Sequence, residues 1–173
     1  MSSGGRFYRI RECYRSPGVH AVVVFRFGSW LKQRPLLVRL FLEPLYLLLN
    51  HRIRHKWGID ISRSADIGPG LYIGHYGGIT ISGAAVIGKN LNISQQVVIG
   101  LSGEGERQGC PTFGNNVYLG PGAKIFGRIH IGDYVKIGAN AVVYKDIPDN
   151  AVVVLDPGFN ILSYDSNRHT VIE

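Results

Sequence analysis

The sequence predicts a mainly β protein: short strands wound into a coil, stacked as a solenoid and entered through a short α-helical segment. Three observations predict it. A large apolar residue returns every sixth position from Ile61 onward, a glycine follows it at most of those positions, and residues 18 to 57 show helical patterning instead.

The helical segment comes first. GVHAVVVFRFGSWLKQ follows Ser16-Pro17, and proline suits the opening turn of a helix. RPLLVRLFLEPLYLLLNHRIRHKW continues it, with a break or bend expected at Pro44. The six-residue beat then runs through Ile61, Ile67, Ile73 and Ile79. It slips by two, resumes at Ile81, Ile87, Ile93 and Ile99, and is interrupted over residues 101–112. It restarts at Phe113, Leu119, Ile125, Ile131, Ile137 and Val143. Four positions after the large residue comes a smaller one, among them Ala65, Ala85, Val97, Ala123 and Ala141.

A helix cannot produce this pattern, because six steps of about 100° point successive residues in different directions. A single strand cannot either, since the beat needs a chain turn to restart it. A coil of short strands with tight corners does, with the large residue inward and glycine where a Cβ would crowd the corner. Three such faces make a coil of about 18 residues, repeated as a solenoid. After Val143, YKDIPDNAVVVLDPGFNIL reads as a last coil and a turn at Asp156-Pro157-Gly158. The chain thus divides into a helical segment at 1–57, a solenoid at 58–155 with a loop at 101–112, and a loosely ordered tail at 156–173.

Composition limits the function. The 173 residues suit one domain, and 45% hydrophobic with 18% charged residues excludes a disordered chain. The 23 glycines have no triplet period, which excludes collagen. The net charge of +7 suits a solvated basic surface, an anionic ligand or an anionic membrane. Its Lys and Arg cluster in the first 63 residues without a nucleic-acid motif, so nucleic acid is not expected. Cys13 and Cys110 have neither metal nor disulfide-framework spacing, pointing to a reducing cytoplasm. The N-terminus lacks the apolar core of a signal peptide. Residues 35–49, broken by Arg39, Glu43 and Pro44, are too short and polar to span a bilayer. Leu36, Leu37, Leu40, Phe41, Leu45, Leu47 and Leu48 exceed one narrow helix stripe and are flanked by Arg34, Arg39, Arg52, Arg54 and Lys56. They read as a peripheral membrane contact or as packing against the coil end or another copy. Only His75 and His130 lie in the coils, which is too few for a three-histidine zinc site, so no metal is expected.

These residues carry a resemblance over roughly residues 16 to 155. GVHAVVVFRFGSWL, GIDISRSADIGPGLYIGHYGGITISGAAVIG and KIGANAVVYKDIPDNAVVV resemble the serine acetyltransferase branch of the left-handed β-helix hexapeptide transferases. The stretch Cys110-Pro111-Thr112-Phe113-Gly114 looks most like the short capsule and exopolysaccharide enzymes of the colanic acid type. The resemblance implies a left-handed coil, acetyl-CoA as co-substrate and a homotrimer with active sites between neighbours. It implies His75, in Gly74-His75-Tyr76-Gly77-Gly78, as catalytic base and Asp60, fifteen residues earlier, as the carboxylate that orients it. The chemistry asks for such a pair. An alcohol attacks a thioester poorly unless a base takes its proton, imidazole accepts protons near neutrality, and a carboxylate fixes its tautomer. Gly120, Gly122, Gly138 and Ala139 match positions where family members let the pantetheine arm lie against the backbone. Tyr76, Arg107 and Cys110 are the candidate acceptor-binding residues; Cys110 also reads as a buried small residue at the loop base. Serine acetyltransferases carry Arg-His-Pro where this chain has Gly109-Cys110-Pro111. A neutral thiol cannot pair with a carboxylate as a cation does. The expected acceptor is therefore a sugar hydroxyl of a polysaccharide precursor, with serine O-acetylation as the alternative.

Overall fold

The computed structural model describes residues 15–102 and 108–155. Helix α1 is Pro17–Lys32 and helix α2 is Leu36–Trp57. The strands before the loop are β1 (Ile59–Ile61), β2 (Asp66–Ile67), β3 (Tyr72–Ile73), β4 (Ile79–Ile81), β5 (Val86–Ile87), β6 (Asn92–Ile93) and β7 (Val98–Gly100). After it come β8 (Thr112–Phe113), β9 (Tyr118–Leu119), β10 (Lys124–Phe126), β11 (His130–Ile131), β12 (Lys136–Ile137), β13 (Val142–Val143) and β14 (Val152–Val153).

Every strand pairing is parallel and joins one coil to the next, giving three sheets: β1-β4-β7-β10-β13, β2-β5-β8-β11 and β3-β6-β9-β12-β14. The predicted solenoid is what forms. Its core is the inward column of each sheet, for example Ile67, Ile87, Phe113 and Ile131, all buried. The residues between them face out, so a two-residue strand reads exposed then buried. Register measures the coil. Phe113 pairs with Ile131 and Leu119 with Ile137, an interval of 18 residues. Ile67 pairs with Ile87, an interval of 20, which locates the two-residue slip between β2 and β5. Ile99 pairs with Ile125, an interval of 26, so the loop adds eight residues without disturbing the register on either side.

Glycine does not turn every corner. Between the second and third sheets, Asn90, Asn116, Tyr134 and Asn150 adopt positive φ in the column begun by Gly70. Asparagine tolerates this left-handed conformation better than most residues. Each of the four donates its backbone N–H to a carbonyl of the coil before it, as Asn90 does to Pro69 at 2.8 Å.

The helices close the open end of the solenoid, where carbonyls of the first coil have no preceding coil to donate to them. The Arg26 guanidinium donates to the Ile67 and Gly68 carbonyls, and the Ser29 hydroxyl donates to the Arg63 carbonyl at 3.1 Å. α2 packs over α1, with Tyr46 set against Gly28, where a Cβ would lie 2.3 Å from the ring. Of the break or bend expected at Pro44, the break does not occur. Pro44 lies inside α2 and is exposed. The chain turns instead at Pro35, which disfavours helical geometry in the residue before it. Gly58, with φ of 60°, ends α2 and donates to the Arg54 carbonyl at 3.0 Å. Among the described residues, no helix is long and apolar enough to cross a membrane.

Candidate active site

His75 occupies the corner between β3 and β4. Ile73 pairs with Ile93 and Thr80 with Val98, so residues 74–79 here match residues 94–97 in the next coil, and the extra two are the slip. Gly77 and Gly78 carry φ of 105° and 65°, and nothing lies within 4 Å of a Cβ added at Gly77. The bulge therefore stands off the wall and leaves both His75 and Tyr76 exposed. Its base is fixed. Ile79 donates to the Gly58 carbonyl at 3.0 Å and Gln96 to the Gly77 carbonyl at 2.7 Å.

Asp60 faces outward from β1, opposite Thr80 of the next coil. The expected bond to His75 is not made. Arg54, in the last turn of α2, takes the carboxylate at 3.0 Å, with both side chains about half exposed. The physical reason is the αL cap at Gly58, which folds the basic end of α2 back over β1. Among the described residues, the His75 ring has no hydrogen-bond or ion-pair partner. Nothing before Gly58 marks Arg54 as part of this site in the sequence.

Gly120, Gly122, Gly138 and Ala139 lie on the same edge as His75, two and three coils further along. The corners stack directly: Gly122 donates to the Gln95 carbonyl at 2.9 Å and Asn140 to the Pro121 carbonyl at 2.8 Å. At the usual strand spacing these corners lie about 10 and 14 Å from the His75 corner. A Cβ on Gly120 would sit 2.9 Å from the Ala139 backbone nitrogen, so coil stacking by itself requires this glycine.

The loop leaves the opposite edge of the first sheet. Cys110 is buried at its base, where desolvation pushes its thiol up and the Ser82 side chain partly offsets this. Cys110 belongs to the core cluster. Arg107 lies outside the described residues. Gly109 lies directly against Arg128, with 2.8 Å between an added Cβ and that of Arg128. Arg128, Ser102, Tyr144, Lys145 and Asp146 line a cleft of ≈ 490 Å³ at this edge. Sequence reasoning missed Arg128 and Lys145 because only the stacking of coils brings them to the loop. His130 is on β11, in the second sheet, with Nδ1 3.2 Å from the Thr112 hydroxyl. No group of three or more His, Cys, Asp or Glu is placed to hold a metal ion among the described residues.

The fold is a parallel solenoid of hexapeptide repeats, with His75 lifted from one of its corners. Residues 111–145 match the bacterial transferase hexapeptide (six repeats) family. The serine acetyltransferase of Mycobacterium tuberculosis is 42% identical over 148 residues, covering 84% of this chain and 60% of its own length. That of Helicobacter pylori strain 26695 is 38% identical over 138 residues, covering 80% of this chain and 77% of its own. The chain therefore belongs to the hexapeptide-repeat acetyltransferases of the serine acetyltransferase type. Among solved structures, soybean serine acetyltransferase complexed with serine superposes with a TM-score of 0.68 at 34% identity, covering 83% of this chain and 56% of that one. The Brucella abortus enzyme in complex with coenzyme A gives 0.64 at 29% identity, covering 82% and 54%. The chain spans little more than half the length of several of these relatives.

The sugar acceptor and the closeness to polysaccharide enzymes are overturned by these matches, which favour the serine alternative. Gly109 and Cys110 were read along the chain, whereas the stacking of coils sets Arg128, one coil away, against Gly109.

Proposed function

We propose that the protein transfers the acetyl group of acetyl-CoA to the hydroxyl of serine. The observation that carries this is the 42% identity to a serine acetyltransferase over 84% of the chain, with His75 exposed on its bulge. His75 takes the hydroxyl proton as the serine oxygen attacks the thioester carbonyl. The carbon–sulfur bond breaks, and the imidazolium returns the proton to the departing thiolate. Asp60 turns from Arg54 to His75 and stabilises the imidazolium. The pantetheine arm runs along the edge of Gly120, Gly122, Gly138 and Ala139, where small residues permit close approach. Arg128 meets the serine carboxylate, with Tyr76 beside the acceptor.

Within one chain, His75 and Arg128 stand on opposite edges of the first sheet. We infer a homotrimer in which the loop edge of one copy faces the His75 edge of its neighbour. Sedimentation should give three times the chain mass, and a stable monomer at micromolar concentration would remove this arrangement.

Thiol release from acetyl-CoA with serine as acceptor tests the function. The expected kcat/KM is above roughly 10⁴ M⁻¹s⁻¹, as for an ordinary enzyme on its own substrate. His75→Ala should lower turnover by on the order of 10²–10⁴-fold with the fold intact. Release no faster with serine than with water would reject the proposal.

A further inference from the structure

We propose that the outer face of α2 docks on an anionic lipid surface. α1 caps the first coil and α2 lies on α1, so among the described residues the far side of α2 is the outermost layer at this end. Its inner side carries Tyr46 and Ile53, both buried, with Leu42 and Leu49 packed against the core. At 100° per residue, Leu36, Leu37, Leu40, Phe41, Leu47 and Leu48 fall on the other side. They are 55–79% exposed. Six such side chains reach the upper end of the ~300–600 Å² that the largest apolar patch of a monomer usually covers.

The charge around the patch selects its occupant. Residues 1–57 hold eleven of the chain's Lys and Arg against Glu12 and Glu43, while residues 58–173 hold eight against ten acids. The whole positive excess therefore belongs to the helical segment. Glu43, the one acid in residues 15–57, is taken by Arg63 at 2.6 Å. Lys32 and Arg34 stand at the tip of the helical hairpin, with Arg34 4.7 Å over the half-exposed Trp30 ring, and Arg52 and Lys56 stand at the far end. Two copies meeting through this face would bring like charges together with no acid to pair them. A surface of anionic headgroups supplies the counter-charge, and the acyl boundary takes the leucines and Phe41. Trp30 beside Arg34 is the pairing that favours a membrane–water boundary.

Flotation of the full chain with phosphatidylcholine vesicles, with and without phosphatidylglycerol, tests this. The protein should float only with phosphatidylglycerol and should be released when salt rises from about 0.05 M to about 0.5 M, as the screening length shrinks. In a Trp57→Phe background, Trp30 emission should shift to the blue on binding. Leu37→Ser with Phe41→Ser, and separately Arg34→Glu with Arg52→Glu, should each lower binding by at least about tenfold. Circular dichroism should be unchanged in both. No flotation, or equal flotation on neutral vesicles, overturns the proposal. So does a mass in sedimentation that falls by half in Leu37→Ser with Phe41→Ser when the parent shows no lipid binding, because the face then joins two copies of the protein.

Discussion

Arg54 holds the carboxylate that the proposed mechanism needs, so its removal is an informative perturbation. The pair is 3.0 Å apart with side-chain exposures of 53% and 43%. At that exposure an ion pair is worth about 0.2–1 kcal/mol, at most about fivefold in the population of Asp60 free to turn to His75. Arg54→Ala should therefore leave kcat unchanged or raise it by up to about fivefold. Asp60→Asn should lower it, though less than His75→Ala, because Asp60 only orients the base. In the double variant Arg54→Ala with Asp60→Asn, the Arg54 effect should vanish, since there is no carboxylate left to release. The assay is thiol release at saturating acetyl-CoA and serine for the four proteins of the cycle. A loss of about a hundredfold in Arg54→Ala, the size of a general-base contribution, would place Arg54 in the chemistry itself and refute this reasoning.

Two further outcomes follow. Arg128→Gln should raise the KM for serine by about tenfold or more while changing kcat less, because a bound carboxylate loses its charge-assisted partner; an unchanged KM would move the carboxylate site elsewhere. In a Cys13→Ser background, Cys110 should react with iodoacetamide at pH 8 at least about tenfold more slowly than in the denatured chain, since only the thiolate reacts and burial pushes that thiol up. Equal rates would show that the loop base is open.

The sequence by itself determined the coil. A six-residue beat of Ile, Leu and Val with glycines behind it fits neither helix nor strand period. Inward columns such as Ile67, Ile87, Phe113 and Ile131 are therefore readable before any coordinate. The slip at residues 74–78 was legible for the same reason: breaking a strict period forces the backbone off the wall, and it does so at His75. The acceptor was misread at the loop of residues 101–112, whose own residues do not name it. What the tertiary structure decided concerns neighbours distant in sequence. The αL cap at Gly58 delivers Arg54 to Asp60, and nothing in the spacing announces this. The stacking of coils sets Arg128 against Gly109 and brings Gly120 and Gly138 onto the edge of His75. Pro44 lies on the exposed side of α2, and which side faces out depends on what α2 packs against. Inward residues are dictated locally, by the period of the chain and the transfer of apolar surface from water. Partnerships among the outward residues are set by the rise and register of one coil on the next, which a linear sequence does not carry.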